Sequence, residues 1–215
     1  TFCGLSYEGT ITHQLPAFLQ IIVIVMVGHY IWLAVLYLLA GAYSGKNPWE
    51  VLRHYGPAYL TAVGTMSSAA TLPLNIKVCE EEFGVDESIA SFVLPLGMTI
   101  NMDGTAIMQV IATVFIAGCA GYTVTPGQLV VVALLALLAS VGTPAAPGAG
   151  AVILFTILSG VGFVNDGALL AYSLILAINR PIEMLVTSLN VVGDAVASIC
   201  VARSEGLLKE EVYNK

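Results

Sequence analysis

Residues 99–105, Thr-Ile-Asn-Met-Asp-Gly-Thr, set an amide, a carboxylate and a helix-weakening glycine in the middle of an apolar stretch. An unpaired carboxylate at bilayer depth costs from about 3 to more than ~10 kcal/mol, so Asp103 calls for a partner, and a bound cation fits best. Nearer the end of the chain, Arg180, Glu183, Thr187, Asn190 and Asp194 are spaced by three, four, three and four residues. That spacing puts them on one face of a helix whose opposite face is apolar. Thr and Asn on such a stripe can serve as interhelical glue. Two carboxylates on it each need a counter-charge or a proton. In the earlier stretch Gly97, Asn101 and Thr105 stack at i, i+4 spacing, while Asp103 points toward a separate site. Asn101 and Gly104 favour local unwinding, which frees carbonyl oxygens of the kind a small hard cation prefers.

The elements that position these residues are membrane elements. The 215-residue sequence is 58% hydrophobic and only 10% charged, with a mean hydropathy of +0.90, far from the composition of a soluble domain. The net charge of −7 comes without a Lys/Arg cluster and leaves no footprint for nucleic acid. Cys3, Cys79, Cys119 and Cys200 are scattered, without metal-ligand or disulfide spacing, and read as packing residues. The first residue is Thr and no basic segment precedes the first apolar run, so no signal peptide is expected and the chain reads as an excerpt of a longer protein.

Five apolar segments follow: 15–43, 47–80, 88–120, 128–164 and 168–202, with a tail at 203–215. About 20 helical residues cross a bilayer, so the first, third and fifth are long enough to span with tilt. The second and fourth are interrupted at their centres, by Thr65-Met66-Ser67-Ser68-Ala69-Ala70-Thr71-Leu72-Pro73 and by the Gly/Pro-rich run from Ser140 to Gly150. Such breaks leave backbone groups unpaired, which at membrane depth is tolerated only inside protein or beside a cavity.

Charge decides how the broken segments lie. Lys46 and Arg53 precede the first break, Lys77 follows it, and Arg203, Lys209 and Lys215 follow the last helix, while the connections around the second break carry no basic residue. If both broken segments are re-entrant hairpins, all six fall on the cytoplasmic side, as the positive-inside rule requires. The expected fold is therefore all-α and integral to the membrane, with three spanning helices, a cytoplasmic and an external re-entrant hairpin, and a cytoplasmic C-terminus. Hairpin plus spanning helix occurs twice, near 47–120 and 128–202, with opposite orientation. Inverted repeats with broken helices meeting near the midplane are an architecture of secondary transporters; two independently kinked helix pairs are the alternative.

In this arrangement Ser67 and Ser68 sit at a hairpin tip. Small residues there allow close helix approach, but the position favours a half-helix N-terminus offering N–H groups and hydroxyls to a carboxylate. The tip from Gly142 to Gly150 reads as an external gate with glycine hinges. His29 reads as a hydrogen-bonded interior residue rather than a proton carrier. Trp32, Trp49 and most tyrosines read as packing or interfacial anchors.

Four motifs carry a resemblance over nearly the whole chain. They are the serine-rich tip before Thr71-Leu72-Pro73, the run Leu96-Gly97-Met98-Thr99-Ile100-Asn101-Met102-Asp103-Gly104-Thr105, then Pro147-Gly148-Ala149-Gly150, and Asn190-Val191-Val192-Gly193-Asp194. Together they resemble the glutamate, neutral amino acid and dicarboxylate symporters coupled to sodium or protons. The resemblance implies a homotrimer whose subunits pair a static scaffold with an elevator-like transport domain. This chain would supply the core of the transport domain, without the scaffold helices. It implies one sodium site from the carbonyls of Gly97, Asn101 and Asn190 with the Asp194 carboxylate. A second would use backbone around Thr99, Ser140, Val141 and Thr143, and a third would include Asn101 and Asp103. The substrate would lie between the tips against Ser67, Ser68, Thr105, Ala146, Gly150, Glu183, Val186, Thr187 and Asn190.

Departures from the family pattern bear on the substrate. Acidic amino acid carriers place an Arg where this chain has Val186, and an Asp where it has Glu183; some relatives carry Arg where the first tip has Met66. An acidic side chain facing Val186 would be buried without a cation. A small neutral amino acid is therefore expected, its amino group on Glu183 and its carboxylate on Ser68 and the tip N–H groups, with sodium, or alternatively a proton, as the coupling ion. A dicarboxylate or acidic amino acid held by Arg180 is the alternative, against which Arg180 can simply neutralise Glu183 three residues on. No enzymatic activity is expected: an intramembrane aspartyl protease using Asp103 and Asp194 would lack its Gly-x-Gly-Asp pattern, because Val191 stands at the first glycine position. A channel remains a further alternative.

Overall fold

A computed structural model describes residues 10–45 and 47–213; Cys3, Lys46 and Lys215 lie outside the described residues. The first element of the described residues is α1, Thr10–Ser44. The first broken segment forms α2, Pro48–Thr65, and α3, Ser68–Glu81. Asn47 caps α2 through its Oδ1, which accepts from the Trp49 N–H at 3.0 Å, and Pro48 occupies the first turn, where its missing N–H costs nothing. The helix stops at Met66, which adopts the left-handed region with φ 52°, and Ser67 caps the next one by accepting from the Ala70 N–H. A methionine at positive φ is uncommon and marks a backbone held by its surroundings.

The next apolar segment is split into α4, Glu87–Ile100, and α5, Asp103–Cys119. Asn101 and Met102 lie between them in extended or bridging conformations, ψ 84° and 49°. This is the unwinding expected from Asn101 and Gly104. It also corrects one expectation: Gly97, Asn101 and Thr105 do not stack on an unbroken helix, because the helix ends at Ile100. The second broken segment forms α6, Pro126–Val141, opened by a Thr125/Gln128 capping box, and α7, Ala149–Val161, preceded by Gly148 at φ 87°. Then come α8, Asp166–Ser204, and the short α9, Glu210–Tyr213.

Three segments are long and apolar enough to cross a membrane: Leu19–Ser44, Glu87–Cys119 taken across its break, and Asp166–Ser204. At 1.5 Å per residue, the 16 residues of α6 and 13 of α7 reach only about 24 and 20 Å, short of the ~30 Å hydrocarbon core. Large apolar side chains such as Leu38, Leu60, Phe92, Leu138 and Val152 face outward, as lipid permits.

The centre of the molecule is α8, which packs against α1, α2, α3, α4, α5 and α7. From Val186 to Val196 every residue of it is buried. The polar stripe is therefore not opposed by a lipid face: its apolar side meets Leu33, Leu36, Tyr37 and Ala40 of α1 and Tyr55 of α2 in a core with Leu189, Val192 and Ile199. After α8 the chain turns back on the α3–α4 connection. Val85 pairs with Leu208 in a β-bridge, the Lys209 N–H donates to Gly84 O at 2.7 Å, the Asp86 N–H donates to Leu207 O at 3.1 Å, and the Lys209 ammonium lies 3.2 Å from Asp86 Oδ2.

Candidate functional site: two hairpin tips, a helix break and a buried polar stripe

The two tips touch. Ser67 Oγ donates to Ala145 O at 2.8 Å while also capping α3. Beneath them lies a small cavity lined by Met66 and Ser68 of the first tip, Met102, Thr105 and Met108 around the break, Thr143 to Ala146 with Gly150 and Ala151 of the second tip, and Asn179, Glu183, Val186, Thr187 and Asn190 of α8. Its volume is about 30 Å³, room for water-sized molecules. Of the residues expected to bind substrate, all but Ser67 line this cavity; Ser67 works beside it, tying tip to tip.

Among the described residues Glu183 is the only acidic or basic side chain in the lining. Its carboxylate accepts from the Gly148 backbone N–H of the second tip and lies 3.4 Å from the Arg180 guanidinium. Arg180 itself is 62% exposed and outside the lining, so it neutralises Glu183 from the rim. Asn190 Nδ2 donates to Thr105 Oγ1 at 3.0 Å, and its Oδ1 accepts from the Gly104 N–H at 2.8 Å. Helix α5 has no side-chain cap of its own. Asn190, from α8, supplies it and satisfies a donor that a helix start leaves orphaned.

One turn deeper, the residues expected at the first cation site converge. Asp194 Oδ1 accepts from Asn101 Nδ2 at 3.0 Å, and the same amide lies 3.4 Å from Asn190 O. A Cβ on Gly97 would fall 2.5 Å from Asp194 Oδ1, and one on Gly193 would fall 2.5 Å from Asn101 Nδ2 and 3.2 Å from Asp103 Oδ2. Only glycine lets the broken helix and α8 approach this closely. Asp103 and Asp194 thus stand on either side of Asn101, and none of the ion pairs among the described residues reaches either carboxylate. Two carboxylates with no cationic partner, beside backbone and amide oxygens, suit a hard, oxygen-ligated cation. Among the described residues no three His, Cys, Asp or Glu side chains cluster, so a softer N/S-ligated metal has no comparable set.

The second expected cation set is disposed differently. Ser140 and Thr143 are buried with their hydroxyls bonded to Leu137 O and Ala139 O, the Thr99 hydroxyl bonds Leu96 O, and Val141 is exposed. These residues offer backbone carbonyls, not side chains.

Residues 3–204 match the sequence profile of the sodium:dicarboxylate symporter family. The chain belongs to the sodium:dicarboxylate symporter family. Among similar relatives, an excitatory amino acid transporter of Caenorhabditis elegans is 44% identical over 154 residues, covering 71% of this chain and 30% of that protein. Excitatory amino acid transporter 2 of Homo sapiens is 39% identical over 86% of this chain and 31% of its own length. Excitatory amino acid transporter 1 of Rattus norvegicus is 37% identical over 96% of this chain and 36% of its own length. The chain thus spans about a third of the length of these relatives. Membership makes it part of a membrane symporter family rather than an enzyme family.

The structure gives several residues around the site partners that the sequence reading did not assign. Trp32, expected to be an anchor, donates its indole N–H to Asp103 Oδ2 at 2.9 Å. Asn179 lines the cavity with a buried Oδ1 that has no partner among the described residues, and Gln109 Nε2 holds Gly150 O at 3.2 Å. The Tyr55 hydroxyl lies 2.7 Å from both Asn75 Oδ1 and Val191 O, bracing α8 beside the stripe. His29 is buried, with Nε2 3.4 Å from the Tyr59 hydroxyl and Nδ1 without a partner among the described residues. Cys79 is buried as a packing residue, whereas Cys119 is exposed.

Proposed function

We propose that this chain forms the ion- and substrate-binding core of a secondary symporter that couples inward sodium flux to uptake of a small, neutral amino acid. The observation that carries this reading is the charge of the cavity lining: one carboxylate, Glu183, and no cation. A zwitterion can place its ammonium on Glu183 and its carboxylate on Ser68 and the tip N–H groups. An acidic side chain would add a second anion beside Val186 with nothing to pair it, at a cost of several kcal/mol. The unpartnered Asn179 oxygen offers a place for a neutral donor such as a hydroxyl.

On this reading residues 1–215 are a transport-domain core, α2–α3 and α6–α7 are cytoplasmic and external re-entrant hairpins of an inverted repeat, and the C-terminus is cytoplasmic. The external tip gates the cavity, and the whole core shifts across the membrane as an elevator against scaffold helices that also form a homotrimer. Gly97, Asn101, Asn190 and Asp194 hold one sodium ion, Asn101 and Asp103 contribute to another, and backbone around Thr99, Ser140, Val141 and Thr143 to a third. The shortness of the paired helices, the contact between their tips and the glycine-lined approach of the break to α8 support it.

The second reading is an acidic amino acid or C4-dicarboxylate carried with sodium or protons, favoured by the family description and by the names of the excitatory amino acid transporters. In it Arg180 would leave Glu183 and turn inward. Uptake by the full-length protein in proteoliposomes separates the two. Radiolabelled alanine, serine, aspartate and succinate are offered with and without a sodium gradient. Sodium-driven accumulation of alanine or serine is the expected result. Preference for aspartate or succinate would replace the first reading with the second, and equilibration without accumulation would point to a channel.

A further inference from the structure

The indole N–H of Trp32 reaches Asp103 from an element 71 residues earlier in the chain. Trp32 lies within the apolar span Leu19–Ser44, where lipid offers its N–H no acceptor, and Asp103 is the acceptor it takes. The oxygen it binds, Oδ2, is the one lying against the Cα of Gly193, where a Cβ would come within 3.2 Å. The carboxylate is therefore held from two sides by the N–H and the helix backbone, and no other hydrogen bond to the carboxylate is made among the described residues. Its second oxygen remains free to ligate.

We propose that Trp32 is a positioning residue of the cation site at Asp103: by fixing one carboxylate oxygen it aims the other at the ion. This rests on the reading of Asp103 as a cation ligand. The logic is that of outer partners in metal sites generally, where a ligating carboxylate is itself hydrogen-bonded and loss of that bond weakens the ion about 10- to 100-fold. The hydrogen bond needs no proton transfer and stays in place when the ion binds. It also ties α1 to the helix break, so the first helix takes part in ion binding although it supplies no ligand.

The test uses sodium alone as probe, with the full-length protein in detergent and choline chloride balancing ionic strength. The readout is the sodium midpoint for protection against thermal unfolding. Trp32→Phe is expected to raise the midpoint about tenfold. Replacing Trp32 by 3-benzothienylalanine, which keeps the ring shape but has sulfur in place of the N–H, should do the same. Each midpoint is read against that variant's own unfolding temperature in choline alone, which loss of the bond between α1 and the break should lower. In an Asp103→Asn background the change at position 32 should have no further effect. If the benzothienyl variant keeps the wild-type midpoint, or if the Trp32 effect persists undiminished in Asp103→Asn, the positioning role is wrong. If Asp103→Asn itself leaves the midpoint unchanged, the reading of Asp103 as a ligand falls, and the Trp32 inference with it.

Discussion

At the scale of single residues, the proposed preference for a neutral substrate rests on what the cavity lining lacks. Val186 stands one turn from Glu183 with its side chain in the lining, so Val186→Arg would install a cation beside the substrate's side chain. Affinity for aspartate or succinate relative to alanine should rise by about 1–3 kcal/mol if the new pair is well formed. Competition of these three compounds, with serine, against a bound label measures it; equal loss of all of them with sodium binding intact would place Val186 away from the side chain. Asp194→Asn removes a full charge from a dehydrated cluster and should raise the sodium midpoint for substrate binding by about a hundredfold, roughly 3 kcal/mol. An unchanged midpoint would remove Asp194 from the site. The residues in these tests were legible because their types and spacings are unusual in an apolar chain. Asn179, Gln109 and Trp32 were not, since a lone amide or indole gains its meaning from partners far along the sequence.

At the scale of elements, the breaks were readable and their consequences were not. The interruptions at 65–73 and 140–150 and the pair Asn101 and Gly104 announced breaks, whereas the caps made by Asn47 and by Thr125 with Gln128 came only from the structure. The contacts of the break depend on a different helix, because Gly97 and Gly193 let backbone meet side chain across α4, α5 and α8. The tail clasp was equally hidden: nothing in Phe83-Gly84-Val85-Asp86 or Gly206-Leu207-Leu208-Lys209 signals that they pair. Gly84 has φ 66°, and a Cβ there would fall 2.5 Å from Lys209 O. Gly84→Ala should therefore open the clasp, speeding hydrogen exchange at the Lys209 and Asp86 amides by about tenfold, from the ~1–2 kcal/mol cost of the left-handed region. Unchanged protection would show that the bridge is not what orders the tail. The clasp also has a pH dependence of known sign. The Asp86 carboxyl is held below its ordinary value of 3.8, first by Ser88 and then by Lys209. A depressed folded-state pKa adds stability above 3.8 that is lost as pH falls through the lowered value. Exchange at Lys209 should thus stay constant from neutral pH down to about 4 once intrinsic rates are divided out, and rise below it.

At the scale of the whole molecule, the proposed re-entrant topology makes a statement about sides. Single cysteines at Asn47, Glu82, Thr125 and Asn165, in a cysteine-free background, are probed with an impermeant thiol reagent. Asn47 and Glu82 should label from the cytoplasmic side, Thr125 and Asn165 from outside. Labelling of Asn47 and Glu82 from opposite sides would replace the hairpin with a spanning pair.

The cap that Asn190 provides to α5 has a consequence for how the protein is made. The donor at Gly104 and its acceptor are 86 residues apart. A ribosome adding about 5–20 residues per second needs roughly 4–17 s to cover that distance. Throughout that interval the break has been synthesised and its partner does not yet exist. The contacts between the break and α8 are thus completed late, and a nascent chain halted before residue 190 would leave the first turn of α5 without this cap.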